Sequence, residues 1–245
     1  MKIILAVLVL FLMSLFPDFA SAGPPFLTDD PEPVGYKHLE YYLAASVERV
    51  KSDRSGTLPQ VEVNYGLWPD IQVHCVAPIV LNHPRDGASA YGYGDTELGV
   101  KYRFIHETGH VPQVGFFPRI EIPSGDSKEG LGNGKAQVFL PLWLQKSFGP
   151  WTTYGGAGYW INPGPDNKNW VFVGWELQRD LSRMLTLGAE VFYQTADSVD
   201  GADSVGFNIG AIVNLDKNNH ILCSVGRDFR GETRFMSYLG YQWTF

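Results

Sequence analysis

His106-Glu107-Thr108-Gly109-His110 has the H-E-x-x-H spacing of a zinc site. That spacing binds metal when a helix brings both imidazoles to one face. Gly109 and the following Val111-Pro112 oppose a helix, and no third ligand is evident, so no metal is expected here. Gly130, Gly132 and Gly134 form a Gly-x-Gly-x-Gly run. No helical pattern follows to supply a phosphate site, so the run reads as a mobile outer loop. There is no G-x-S-x-G elbow, and His74 and His220 have no obvious serine at a matching level. A lipid-acting enzyme is therefore an alternative only, with no catalytic residue to name and no cofactor expected. Cys75 and Cys223 are the only cysteines. An exported pair invites a disulfide, but both fall on the apolar parity of strands far apart in the chain, so packed free thiols are expected.

Other ionisable residues stand out by position. Glu40, Glu48, Glu62, His74, Glu97, Lys101, Arg103, Arg119, Glu121, Glu176 and Glu190 each interrupt a segment whose alternate residues are apolar. On a strand, every second side chain shares a face. These residues are expected to line the inside of a closed wall. Two readings remain open for them: cross-strand pairs that lock the wall, or a constriction that selects solutes by size and charge.

The elements that would position them are strands. Val171, Val173, Trp175 and Leu177 alternate with Phe172, Gly174, Glu176 and Gln178, and Leu98, Val100, Tyr102 and Phe104 alternate with Glu97, Gly99, Lys101 and Arg103. Similar segments recur from Leu39 to Phe245, and none shows a 3.6-residue period. They number about twelve, each near the ~9–11 residues a tilted strand needs to cross a bilayer. Short connections (near Trp68-Pro69, His106–Gly109, Phe148–Pro150, Asp180–Arg183 and Asp216–Asn218) alternate with mostly longer, polar ones (Lys51–Thr57, Asn82–Tyr91, Ser124–Lys135, Asn162–Asn169, Gln194–Asp203). Tight turns at one end and loops at the other match an outer-membrane barrel with both termini on the periplasmic side. Phe117, Phe139, Trp143, Phe172 and Phe192 fall on the inward parity, where they fill space or contact a solute. Trp68, Trp151, Trp170, Trp175 and Trp243 suit interfacial girdles.

Lys2, the apolar run Ile3–Phe16 and Ala20-Ser21-Ala22 read as a secretory signal peptide over 1–22, cleaved near Ala22. Residues 23–35 are Pro-rich and acidic, either a partial plug of the periplasmic mouth or a loose tail. Residues 36–245 form the wall. A soluble sandwich would alternate too, but export, the loop pattern and the terminal Phe245 favour lipid. In hydrocarbon an open sheet edge leaves backbone groups unsatisfied, so the wall must close. The fold expected is an all-β, transmembrane, antiparallel up-and-down β-barrel in the outer membrane of a Gram-negative cell. Its expected partners are outer-membrane lipid, a small-molecule solute and the barrel-assembly machinery that reads Phe245. The net charge of -7 offers no footprint for nucleic acid.

Six stretches carry a family resemblance: Pro25–Pro31 (Pro-Phe-Leu-Thr-Asp-Asp-Pro), Gly92–Gly99, Ile122–Asp126, Leu131–Gly134, Leu142–Lys146 and Leu187–Val191. Together they resemble the MetA-pathway phenol-degradation family of outer-membrane proteins, over nearly the whole mature chain. The resemblance implies a transporter barrel and carries no catalytic residue. The expected function is passive passage of small solutes, hydrophobic or aromatic ones included. The alternatives are the lipid-acting enzyme and a closed structural barrel.

Overall fold

The computed structural model describes residues 24–51, 53–231 and 233–245. The expected signal peptide, 1–22, lies outside them. The strands are β1 Leu39–Val50, β2 Asp53–Trp68, β3 Ile71–His83, β4 Ala90–Tyr93, β5 Thr96–Ile105, β6 Gln113–Phe116, β7 Arg119–Ile122, β8 Gln137–Phe148, β9 Trp151–Ile161, β10 Trp170–Ser182, β11 Leu185–Gln194, β12 Ser204–Asn214, β13 Asn219–Arg230 and β14 Phe235–Thr244.

Two of the wall positions are broken strands. β4 and β5 pair with the upper and lower parts of β3, and β6 and β7 both bridge β5 to β8. The second break falls at Phe117-Pro118, where proline has no N–H for the ladder. Its carbonyl still accepts from Val100 N–H at 3.1 Å. Fourteen segments thus make a closed barrel of twelve antiparallel wall strands. Closure comes from β1 and β14, which pair from Glu40↔Thr244 to Arg49↔Phe235. That contact joins the first and last strands, so neither is left as an edge.

The alternation sets the facing. Leu43, Val100, Leu142, Val173, Leu177 and Ile209 point outward and stay exposed, while Tyr42, Lys101, Trp143, Phe172, Gln178 and Asn208 on the same strands are buried inside. An apolar belt of this extent would not be left bare in water. In hydrocarbon it is at home.

The inner aromatics lie over glycines of neighbouring strands. A Cβ on Gly158 would stand 2.2 Å from Phe139 Cε2, and one on Gly206 would stand 2.4 Å from Phe192 Cζ. The missing side chains are the seats of the rings.

Some expectations on local detail need correction. The stretch Lys51–Thr57 is not a loop: β2 begins at Asp53 and pairs with β1 from Val50↔Asp53 upward. Trp170 does not join an outer girdle, because its ring stacks on Trp160 inside at 5.3 Å. Trp175 faces outward but sits in mid-strand opposite Val191, with Nε1 donating to Thr153 Oγ1. Trp68, Trp151 and Trp243 are outward and at strand ends.

Candidate functional site

The lumen divides into two unlike halves, and a single hydrogen-bonded row of residues shows the change. From β1 it runs Glu40↔Asn64↔His74↔Gly99↔Arg119. It continues Arg119↔Phe139↔Trp160↔Trp170. The β1–β7 side is thus polar and the β8–β11 side aromatic. Phe117, Phe139, Trp143, Phe172, Phe192 and Met236 form one buried cluster. Arg119 stands at the border, 5.0 Å from the Phe139 ring centroid and 5.1 Å from that of Phe117.

The lead-in lies inside. Its backbone is gripped by inward side chains: the N–H groups of Leu27 and Thr28 donate to the two Glu190 oxygens at 2.8 Å each. Val34 N–H donates to Gln72, and Ser224 Oγ donates to the Pro25 carbonyl. The Asp29 and Asp30 carboxylates face the buried Lys101 ammonium, at 3.0 Å and 3.2 Å. Glu32 Oε2 accepts from Gln113 and Gln145. A Pro-rich segment with few ladder bonds of its own is satisfied here by side chains of the wall.

The ionisable residues singled out from the sequence sit at alternate positions of their strands and fall into several groups. Glu62, His74, Glu97 and Arg119 come together: His74 Nε2 is 2.9 Å from Glu97, its Nδ1 3.7 Å from Glu62, and Arg119 is 3.5 Å from Glu97. Arg103 joins Asp70 at 2.7 Å and Glu32 at 3.5 Å. Glu40 accepts from Tyr42 Oη, and Glu121 from Asn133 Nδ2. Glu48 is 3.9 Å from Arg234. Glu176 and Glu190 lie across the barrel, directly opposite each other on β10 and β11.

Asp228 and Arg234 escaped the sequence reading. Asp228 is buried two residues beyond Gly226 on the inward parity of β13, past the point where the alternation looked spent. Arg234 lies just before β14 on the same parity as Met236, 3.7 Å from Asp228 and 5.8 Å from the Phe192 centroid. Extending the period through both strand ends would have found them.

Between the lead-in and the polar half lies a cavity of about 490 Å³. It reaches from Val34 and Gly35, beside the tight turns, to Glu48, Thr57 and Glu121, beside the loops. Tyr42, Phe117 and Tyr238 give it some aromatic surface.

The histidines singled out for other chemistry are engaged otherwise. His74 bonds Asn64 and Glu97, and His220 bonds Asn214. Residues 106–112 connect β5 to β6 without a helix, with His106 on Asp70 and Glu107 on Lys146. Cys75 and Cys223 are free thiols.

No family model and no curated protein matches the chain. Solved structures do. An outer membrane channel from Pseudomonas putida F1 superposes with a TM-score of 0.75 at 12% identity, covering 92% of this chain and 100% of that one. The chain has the fold of outer-membrane β-barrels. The KdgM porin in complex with disordered oligogalacturonate gives 0.56 at 11% identity, covering 83% and 99%. The translocator domain of the autotransporter NalP from Neisseria meningitidis gives 0.55 at 12%, covering 85% and 89%. A channel, a porin and a translocator domain share this architecture, so the fold alone does not choose among tasks.

Proposed function

We propose that this protein is an outer-membrane channel through which small solutes pass passively, with residues 24–35 as a partial plug that narrows the bore. The observation that carries this reading is the polar cavity beside the lead-in, which extends from the turn end of the barrel to the loop end. About twelve strands lie between barrels filled by side chains and wide aqueous pores, as a narrow passage requires.

The apolar outer belt supports placement in lipid. The leader over 1–22 supports export, with removal near Ala22. Phe245 and the outward Tyr241 and Trp243 on the closing strand suit handling by the barrel-assembly machinery. The likeness of the six short stretches to the MetA-pathway phenol-degradation family suggests an aromatic solute. Phe26, Tyr42, Phe117 and Tyr238 are the rings such a solute would meet, because they line the cavity while Phe139, Trp143, Phe172 and Phe192 do not. In this reading the protein is not an enzyme.

Purified protein in planar bilayers is expected to give discrete conductance steps, and liposomes carrying it to take up small solutes. A membrane that stays sealed under every condition would leave a closed structural barrel instead.

A further inference from the structure

We infer that the passage beside the lead-in selects for cations: it admits small monovalent cations, protonated amines among them, and turns anions away. This rests on the reading of the cavity as a passage.

Eight carboxylates line the cavity against two permanent cations, Lys101 and Arg119, with His74 beside them. Both cations are already engaged. Lys101 lies between Asp29 and Asp30. Arg119 lies against Glu97, with its guanidinium over two phenyl rings. Asp95 is occupied by the backbone N–H groups of Gly125 and Asn133, and Glu32 by Arg103.

Four carboxylates face the cavity with no cation closer than 3.7 Å: Glu40 accepts from Tyr42, Glu62 from Asn64 with His74 at 3.7 Å, Glu121 from Asn133, and Glu48 has Arg234 at 3.9 Å. A neutral donor orients a carboxylate but supplies no countercharge.

Their placement turns an imbalance into a path. Glu62↔Val76, Val76↔Glu97 and Glu97↔Glu121 are in register, so three carboxylates share one hydrogen-bonded row across β2 to β7. Glu40 lies one inward position nearer the turns, since Tyr42 pairs with Glu62. Glu48 lies at the loop end of β1. Negative charge therefore runs along the length of the cavity within a low-dielectric wall, which focuses its field along the bore. Rings of Asp and Glu select cations by this physics.

The test is the reversal potential of the full-length processed protein in planar bilayers under a KCl gradient. The wild type is expected to reverse toward the K⁺ equilibrium potential. The preference is expected to weaken as KCl rises, because the screening length falls from about 10 Å at 0.1 M to about 3 Å at 1 M. The double variant Glu62→Gln/Glu121→Gln is expected to lower the K⁺/Cl⁻ permeability ratio roughly fourfold or more, the factor a unit charge about 5 Å away carries at the dielectric of water. Asp200→Asn, on an exposed loop, is expected to leave the ratio unchanged.

Conductance steps that reverse at zero or toward Cl⁻ would overturn the inference and leave the passage standing. A K⁺ preference that is insensitive to salt would do the same, without any variant having to fold. An unaltered ratio in a folded double variant would remove these carboxylates from the role. No steps at all would overturn the passage reading and this inference with it.

Discussion

At the scale of single residues, the lumen is held by buried charges that depend on one another. Lys101 is almost wholly enclosed, with Asp30 fully so. Truncating one member of a buried ionic group leaves the others unpaired, at about 3–5 kcal/mol. Lys101→Met is therefore expected to release the lead-in, read as faster cleavage of residues 24–35 by an added protease while the wall stays resistant. Unchanged protection would show that Glu190 and Gln72 suffice. The glycines under the aromatic rings make a second residue-scale case. Gly158→Ala places a methyl 2.2 Å from a Phe139 ring carbon and 3.0 Å from Pro141 Cβ. Overpacking of this kind costs about 1–3 kcal/mol, to be seen as a lower urea midpoint for refolding into vesicles. A midpoint equal to that of the wild type would mean that the ring has room to turn.

At the scale of elements, parity decides what a substitution costs. Ile209 faces outward and its neighbour Asn208 inward on β12. Ile209→Arg is expected to destabilise the inserted barrel by about 2–4 kcal/mol if that position lies at the bilayer midplane, measured by refolding into lipid vesicles. A neutral result would contradict the facing of the whole strand, because a shift of one residue inverts every side chain. The turn after β12, at the surface, is expected to be sensitive to pH. The backbone N–H of Asn218 donates to Asp216, and the Asn219 side chain does too, holding its carboxyl below the ordinary value. A depressed folded value stabilises the turn above the unfolded carboxylate range, near 4. That stabilisation is lost as pH falls through the folded value. Amide exchange at Asn218 and Asn219 is expected to speed up below about pH 4 relative to the strands. Exchange that keeps pace with the strands would mean that the contact adds nothing.

At the scale of the whole molecule, the proposed plug is separable from the wall. The wall closes through β1 and β14 with no help from residues 24–35. A chain with residues 24–35 removed after the leader is therefore expected to assemble and conduct severalfold more than the wild type in planar bilayers. Equal conductance would mean that the lead-in does not define the bore.

Much of this was legible in the sequence because a strand repeats every two residues and a membrane wall permits few exceptions. The alternation along Leu98–Phe104 and Val171–Gln178 revealed the strands, their facing and the inward position of Lys101, Glu97 and Glu176 with no knowledge of neighbours. Partners were another matter. That Asp29 and Asp30 meet Lys101, that Glu190 grips Leu27 and Thr28, and that Arg234 bridges toward Glu48 and Asp228 are contacts over long stretches of chain. No local period encodes them. The division of the lumen into acidic and aromatic halves depends on inter-strand register, which is set by turns and bulges such as the one between Ala44 and Ser46. Side-chain parity is local and survives reading one strand at a time. The path of charge through the barrel exists only once the strands are aligned and the ring is closed.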